Sequence, residues 1–552
     1  MSDDPQGFNL GLVFETLAAT LPDRDCLVWG DRRWTYAELA ERSRRLASFL
    51  HGRGYGVHTP RAELEGHRSG QDHVALALYN GNEYLESMVG SYLARLAPFN
   101  VNYRYVGDEL RYLFNDAAPK VLIYHASLAP TIAAVLDAVE SIELLIQVAD
   151  DSGHALLEGA IDYEAALAAG DPAGPAEVTP SPDDLYILYT GGTTGMPKGV
   201  LWRQHDIYLS AMGGRMIGTW EPVASYAEVA DRARNGFGLR AMILPPLMHG
   251  AAQWSTFLML ANGSTLVLPQ NPRHLDPADV LRTIEREQVN LFTVVGDAML
   301  RPLLIELEHA SYDTSTLLSI GNGGAPLTAA IRARVAEQLP NVLITDSVGS
   351  SETGAQMHAS SASGEPAGQF RPGPGAVVLS EDLTEVLGVG HEGIGWLGQV
   401  GWVPLGYLGD ADKTARTFPT IDGRRYSIPG DRAILLDDGE IELLGRDSVT
   451  ISSGGEKIFA EEVEAALAGH PALTDVVVAG RPSEQWGQEV VAVVSLRPGA
   501  SITLEELQEF ASAHVARYKL PKDVVIVETV VRSPSGKADY RWARDQAIAA
   551  RT

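Results

Sequence analysis

The apolar run Leu185-Tyr186-Ile187-Leu188-Tyr189 leads straight into Thr190 to Gly199, which reads TGGTTGMPKG. This junction constrains the chain more than any other stretch. A short continuous apolar run has the pattern of a strand buried on both faces. The loop after it alternates glycine with hydroxyl residues and closes on one lysine. It therefore presents backbone N–H groups, hydroxyls and a cation to a polyphosphate such as ATP. It is not a Walker A loop, which needs Gly before its Lys and Ser or Thr after it. Here Pro197 precedes Lys198 and Gly199 follows. Proline offers phosphate no N–H, so the lysine is presented in another way. A flexible Gly/Thr connection between strands is the bland alternative, and ten specified positions weigh against it.

From Val74 to about Leu379, apolar runs alternate with amphipathic helical stretches. Ser264 to Leu268 reads as a strand, 276–288 as a helix, Leu291 to Val295 as a strand and 297–309 as a helix. This βαβ rhythm implies α/β architecture, with parallel sheets covered by helices. The Gly/Pro-rich stretch 363–375 reads as a loop. Residues 376–445 read as shorter strands in a β-barrel-like subdomain, with a hairpin signal at Leu436-Asp437-Asp438-Gly439-Glu440. A small α+β unit begins after Arg446, with helices at 460–468 and 503–516 and strands near 474–479 and 489–495. The division expected is a large domain over 1–445 and a small, mobile C-terminal lid over 446–552. Nearer the N-terminus, Thr35 and Glu38 form a capping box for a helix from Tyr36. The polar segment 59–71 (TPRAELEGHRSGQ) reads as a surface loop of unassigned role.

With 552 residues, the chain is too long for one ordinary core. Its formal net charge of −28 argues against a nucleic-acid or anionic-membrane partner, both of which demand clustered positive charge. The single cysteine, Cys26, excludes an internal disulfide and a thiolate zinc set, and its strand-like setting suggests a buried structural thiol. The first ten residues lack the basic-then-apolar order of a signal peptide, and no apolar run approaches membrane-spanning length. A cytoplasmic protein without a transmembrane segment is expected. Gly388 to Gly393 fits GxGxxG, but no helix start follows, so it is not a dinucleotide fingerprint.

The phosphate loop closely resembles that of the adenylate-forming superfamily of acyl-CoA synthetases, adenylation domains and luciferases. Further segments match in order: Pro245 to Gly250 (PPLMHG), Asn322 to Leu327 (NGGAPL), Gly349 to Thr353 (GSSET), Pro429-Gly430-Asp431, Gly445-Arg446 and Ser535-Gly536-Lys537. The resemblance runs from Phe14 to about Tyr540. Asn100 to Tyr105 followed by Glu109 to Leu113 is similar to fatty-acyl-CoA synthetases. Trp202 to Asp206 and Ile344 to Ser347 resemble actinobacterial enzymes, a subgroup that includes some acting on steroid side chains.

The resemblance implies roles residue by residue. Thr190, Gly191, Gly192, Thr193, Thr194, Gly195 and Lys198 would hold the β- and γ-phosphates of ATP. Glu352, with Thr194, would hold Mg²⁺, a hard ion that prefers oxygen. Ser351 would meet the α-phosphate. Gly323, Gly324, Ala325, Pro326, Asp346, Ser347, Val348, Gly349 and Ser350 would surround the nucleotide. Val348 stands where the family usually stacks an aromatic ring on adenine, and Asp346 could accept from the adenine amino group. Asp431 would bind both ribose hydroxyls, with Arg446 beside it. Lys537 would reach the carboxylate and α-phosphate. His249 would gate the acyl pocket, or is a loop histidine. Gly454 and Gly455 would flank the pantetheine tunnel, or simply make a turn. The hinge would lie at 446–448, where Ser448 replaces the usual Asp or Lys. The acyl pocket would draw on Met242, Trp254, Val294, Gly296, Met299, Gly321 and Gly323, a largely apolar set.

The implied activity is that of an acyl-CoA synthetase. It would convert a hydrophobic carboxylic acid, a medium- or long-chain fatty acid or a steroid side-chain acid, to acyl-AMP with ATP. It would then transfer the acyl group to coenzyme A. A ligase loading a separate carrier protein and a silent binding scaffold are the alternatives. A homodimer would suit the family.

Overall fold

The structure is a computed structural model describing residues 7–192, 195–362, 369–391, 393–453, 456–483, 487–515, 517–532 and 536–550. One sheet has eight strands in the order Gly406–Tyr407, Gly195–Arg203, Leu185–Gly192, Ala97–Asn100, His73–Ala77, Val121–His125, Leu144–Val148 and Ile161–Asp162. From Leu185–Gly192 onward the neighbours run parallel. Gly195–Arg203 folds back antiparallel on Leu185–Gly192, and Gly406–Tyr407 pairs antiparallel with it.

The continuous apolar runs are explained by burial on both faces. Val74, Leu76, Val121, Ile123, Tyr186 and Leu188 enter one core. Their alternates Ala75, Ala77, Leu122, Tyr124, Ile187 and Tyr189 enter another. Each side of the pleat is covered, so neither alternate is polar.

A second sheet opens on the edge strand Arg32–Thr35, antiparallel to Asp25–Trp29, and continues in parallel through Thr265–Leu268, Arg240–Ile243, Leu291–Val294, Ser319–Gly323 and Leu343–Ser350. Helices Pro277–Glu287, Gly296–His309 and Ala329–Gln338 alternate with these strands and pack on one face of them. The sheet then turns antiparallel through Gly354–Ala362 and Gln369–Pro372 into the strands of 376–446. The loop expected over 363–375 is therefore corrected in part. Residues 363–368 lie outside the described residues, but Gln369–Pro372 is a strand. It pairs with Met357 and His358 on one side and with Ile441 and Glu442 on the other. Nothing local demands a strand there; two neighbours recruit it.

A third sheet comprises Ile451–Ser453, Glu456–Ile458, Leu473–Ser483, Gly487–Leu496 and Asp523–Val527. Helices Ala460–Leu467 and Leu504–Ser512 cover one face, and Tyr540–Ala549 covers the other. The second of these helices opens on a Thr503–Glu506 capping box and ends earlier than its sequence pattern suggests. The Thr35–Glu38 box also forms, and the 436–440 turn closes with Leu436 N donating to Glu440 O at 2.8 Å. Gly439 takes φ +84° there, a conformation that costs glycine nothing. After Gly393 a strand follows, Gly395–Val400, rather than a helix. Cys26 is fully buried. Among the described residues no helix is long and apolar enough to cross a membrane.

Glu83, in the first turn of the buried helix Asn82–Leu93, carries a stability signature. Its Oε2 has no hydrogen-bond partner among the described residues, and burial, aided by Glu86, pushes its pKa up to about 7. Between about 4.5 and 7 the folded protein holds a proton that the unfolded chain has released, so stability falls as pH rises through that window. Glu83→Gln is expected to flatten this slope. The difference should be on the order of 3 kcal/mol at neutral pH, read by urea unfolding at pH 5 and pH 7.5. Equal slopes in both proteins would contradict it.

Candidate active site

The glycine-rich loop is the turn of an antiparallel hairpin in which Thr190 faces Lys198. Thr193 and Thr194 lie outside the described residues. A Cβ on Gly199 would sit 2.8 Å from the Tyr189 ring, so the hairpin closes tightly only with glycine there. Tyr189 in turn donates from its hydroxyl to Asp116 Oδ2 at 2.7 Å. The Lys198 ammonium pairs with the Asp410 carboxylate, which also caps the helix Ala411–Thr417 by accepting from Lys413 N. Tyr112, Asp116, Lys198 and 408–412 line a cavity of about 470 Å³.

The second element is the turn after strand Leu343–Ser350. Ser350 N donates to Thr353 Oγ1 at 3.0 Å, and Thr353 N donates to Ser350 O at 3.1 Å. Ser427 Oγ donates to Glu352 O at 2.6 Å. Tyr407 then donates its hydroxyl to Glu352 Oε1 at 2.8 Å. Burial and the adjoining carboxylate push the Tyr407 phenol well above its usual range, so it stays a donor. Trp202 Nε1 donates to Ser351 O at 2.9 Å, tying this turn to the hairpin.

Asp431 and Arg446 are register partners on adjacent strands, with Arg446 Nε 3.3 Å from Asp431 Oδ1. Burial raises the Asp431 pKa, and Arg446 opposes the rise. Lys537 shares this neighbourhood. Lys537 keeps an exposed surface, yet partial desolvation by the surrounding walls and the charge of Arg446 lower its pKa, while Glu352 and Asp431 support its ammonium. Gly536 beside it takes φ +78° and packs toward Val295 and Ala298. His249 precedes the helix Gly250–Ala261. Its Nε2 is buried without a hydrogen-bond partner among the described residues. Burial, then Lys537 and Arg104, push its pKa down to about 4, so the ring is neutral at neutral pH. Glu352, Asp431, Arg446, Lys537 and His249 thus converge from segments remote in sequence.

Other expectations fare differently. Asp346 is buried and ion-paired to Arg332 Nη2 at 2.5 Å, and Asn322 Nδ2 donates to it at 2.8 Å. It therefore serves first as the counterion of a fully buried arginine. Val348 packs against the core of the 376–446 strands. Asn322, not singled out from sequence, is a hub: it also donates to Ala325 O at 3.0 Å and accepts from Gly296 N at 2.9 Å. These bonds shape the Gly323-Gly324-Ala325-Pro326 turn, where Gly324 takes φ +82°. Ser347 and Gly323 are neighbours in register. A Cβ on Gly349 would strike Gly354 O at 2.1 Å.

Met242 and Val294 are buried in the core beneath the helices. Thr293, Gly321 and Thr345 are aligned in register and occupy the other face of that sheet. Strand alternation thus separates two residues of the expected acyl set from Gly321 and Gly323. Gly454 and Gly455 lie outside the described residues. Tyr407 and Asp410 were missed because no local motif marks a residue whose partner lies 55 or 212 positions away.

The family description "AMP-binding enzyme" matches residues 14–408, and "AMP-binding enzyme C-terminal domain" matches residues 462–537. The chain belongs to this family of AMP-binding enzymes. It is 57% identical over 549 residues to the medium-chain acyl-CoA ligase Mig of Mycobacterium avium, covering 99% of this chain and 100% of that one. It is 39% identical over 544 residues to a medium/long-chain-fatty-acid and 3-oxocholest-4-en-26-oate CoA ligase of Mycobacterium tuberculosis, covering 98% and 96%. In fold it resembles an anthranilate CoA ligase crystallised with anthranoyl-AMP, with a TM-score of 0.82 at 20% identity and full coverage of both chains.

Removing one side of the Arg332–Asp346 pair leaves a buried charge uncompensated. Arg332→Leu is expected to destabilise the protein by about 3–5 kcal/mol. The check is a lowered urea midpoint at unchanged slope, and an unaltered midpoint would remove the pair from the stability account.

Proposed function

We propose that the protein is an AMP-forming acyl-CoA synthetase. It activates a hydrophobic carboxylic acid, a medium- or long-chain fatty acid or a steroid side-chain acid, and transfers the acyl group to coenzyme A. The observation that carries this reading is the convergence of Lys537, from the C-terminal region, with Glu352, Asp431 and Arg446. The substrates named for the two mycobacterial relatives support the substrate class.

A carboxylate is a poor acyl donor because oxide is a poor leaving group. Its attack on the α-phosphorus of ATP releases pyrophosphate and gives an acyl-adenylate. The coenzyme A thiol then attacks the acyl carbon and AMP leaves. In the first step Thr190, Thr193, Thr194 and Lys198 hold the outer phosphates, with Ser351 at the α-phosphate. Lys198 exchanges the Asp410 carboxylate for phosphate oxygen. Asp431 accepts the ribose hydroxyls, and Arg446 opposes the effect of its burial. Lys537 neutralises charge between the incoming carboxylate and the α-phosphate, as a compact mobile cation can.

Glu352 suits a magnesium ion that arrives with ATP. Such ions take one or two carboxylates plus substrate phosphates, and no cluster of three or more His, Cys, Asp or Glu among the described residues offers a protein-only cage. When bound, the ion neutralises phosphate charge. Neutral His249 borders the acyl entrance without adding a second cation beside Lys537. For the second step, the unit from 446 to 552 turns about 446–448. This withdraws Lys537 and brings the Gly454-Gly455 segment to the thiol path, one hinge serving two reactions.

The test is carboxylate-dependent ATP–pyrophosphate exchange across acetate, long-chain and steroid side-chain acids, with AMP release measured with and without coenzyme A. Exchange with hydrophobic acids and coenzyme A-dependent AMP release are expected. Exchange without coenzyme A turnover would point to a carrier-protein ligase, and absence of ATP binding to a scaffold. Lys537→Ala is expected to abolish exchange while sparing thioester formation from supplied acyl-adenylate. Equal loss of both steps would count against the two-state scheme.

A further inference from the structure

The surface segment 59–71 has no part in the chemistry above, yet its contacts are not those of an idle loop. Its base is closed by a bridge between Val57 and Gln71, with His58 N donating to Gly70 O at 2.8 Å. From that base, Gln71 Oε1 accepts from Leu185 N at 2.7 Å, and Gln71 Nε2 donates to Arg95 O at 2.7 Å. Leu185 opens the strand that leads into the phosphate loop. At the tip, His67 O accepts from Gly409 N at 2.9 Å. Gly66 lies so close to Leu405 that a Cβ would sit 2.5 Å from the Leu405 carbonyl oxygen. The Arg61 guanidinium donates to the carbonyls of Glu65 and Arg68, the residues flanking Gly66-His67, and so holds the tip in shape.

The segment gripped by this tip, 405–410, is also bound to the returning strand of the phosphate hairpin. Leu405 N donates to Leu201 O at 2.7 Å, and Leu408 N donates to Gly199 O at 2.8 Å. From the same segment Tyr407 reaches Glu352 and Asp410 reaches Lys198. The loop therefore touches both arms of the hairpin, one directly at Leu185 and the other through 405–409.

We propose that the 59–71 loop is a strut that positions the nucleotide-binding groups, with Arg61 and Gly66 as positioning residues acting through Tyr407–Glu352 and Asp410–Lys198. This rests on the reading of Lys198 and Glu352 as ATP-binding residues. A hydrogen-bonded carboxylate and a paired ammonium keep their places only if the backbone carrying their partners is fixed. The loop supplies that fixation from outside the cleft.

The experiment uses the full chain with Arg61→Ala and, separately, Gly66→Ala. The first removes two hydrogen bonds at the surface, and the second forces the tip away from Leu405. In ATP–pyrophosphate exchange, KM for ATP is expected to rise by about threefold to tenfold, the scale of one or two modest hydrogen bonds. KM for the acid and thioester formation from supplied acyl-adenylate are expected to stay at wild-type values in both variants, as is the melting temperature of Arg61→Ala. Arg61→Ala is also expected to add less than its own factor when Tyr407 is already Phe, because the two act along one path. Unchanged KM for ATP in both variants would overturn the strut, as would a matched decline of both half-reactions with a lowered melting temperature. Lys198→Ala is measured alongside. If it leaves exchange intact, the ATP reading itself fails and the strut falls with it. If it abolishes exchange while the loop variants do nothing, only the strut is lost.

Discussion

The indole N–H of Trp202 joins the two large sheets where both candidate phosphate-binding elements emerge. Trp202 is fully buried on the returning strand of the glycine-rich hairpin, and it donates to the carbonyl of Ser351 in the turn that carries Glu352. Close approach is built in around it. A Cβ on Gly354 would fall 2.0 Å from Ser210 Oγ and 3.5 Å from the Trp202 ring. A buried donor that lost its acceptor would cost free energy, so this bond fixes the relative position of hairpin and turn. Lys198 and Glu352 sit on opposite sides of that join.

Charge in the cleft is arranged against the average of the molecule. The chain carries a formal net charge of −28, yet the cleft draws together Arg446, Lys537 and Lys198 with Glu352, Asp431 and Asp410. Each cation there has a carboxylate close enough to hold it. Desolvation pulls the Lys537 pKa down, although that residue keeps an exposed surface, and the Asp431 pKa up, while their opposite charges resist. His249, faced by the cations Lys537 and Arg104, yields to burial and stays neutral. The same logic holds at Asp346, where a buried arginine demands a counterion and the carboxylate answers that demand first.

Much of the architecture was legible because local patterns and tertiary setting agree. Leu185 to Tyr189 reads as a doubly buried strand, and its alternate residues do enter separate cores. Thr35 and Glu38 sit three apart before an amphipathic run, and the capping box follows from helix geometry alone. Gln369–Pro372 was not legible, since an exposed Gly/Pro-rich neighbourhood becomes a strand only when two edges flank it. Tyr407 and Asp410 carry no motif of their own, and the 59–71 loop reads simply as polar surface. In each case the partner lies far along the chain.

Residue order alone determined the strand-to-glycine-loop junction, the βαβ rhythm, the change to short strands after 376 and the identity of the charged residues available for chemistry. These depend on periodicity, backbone preference and side-chain type, all properties of neighbours in sequence. Tertiary structure alone decided which of those residues share one cleft, that Asp346 is committed to Arg332, that Met242 and Val294 face a core, and that Lys198 rests on Asp410. Those outcomes depend on which sheet face a side chain takes and on what opposes it across the fold. Long-range packing sets both.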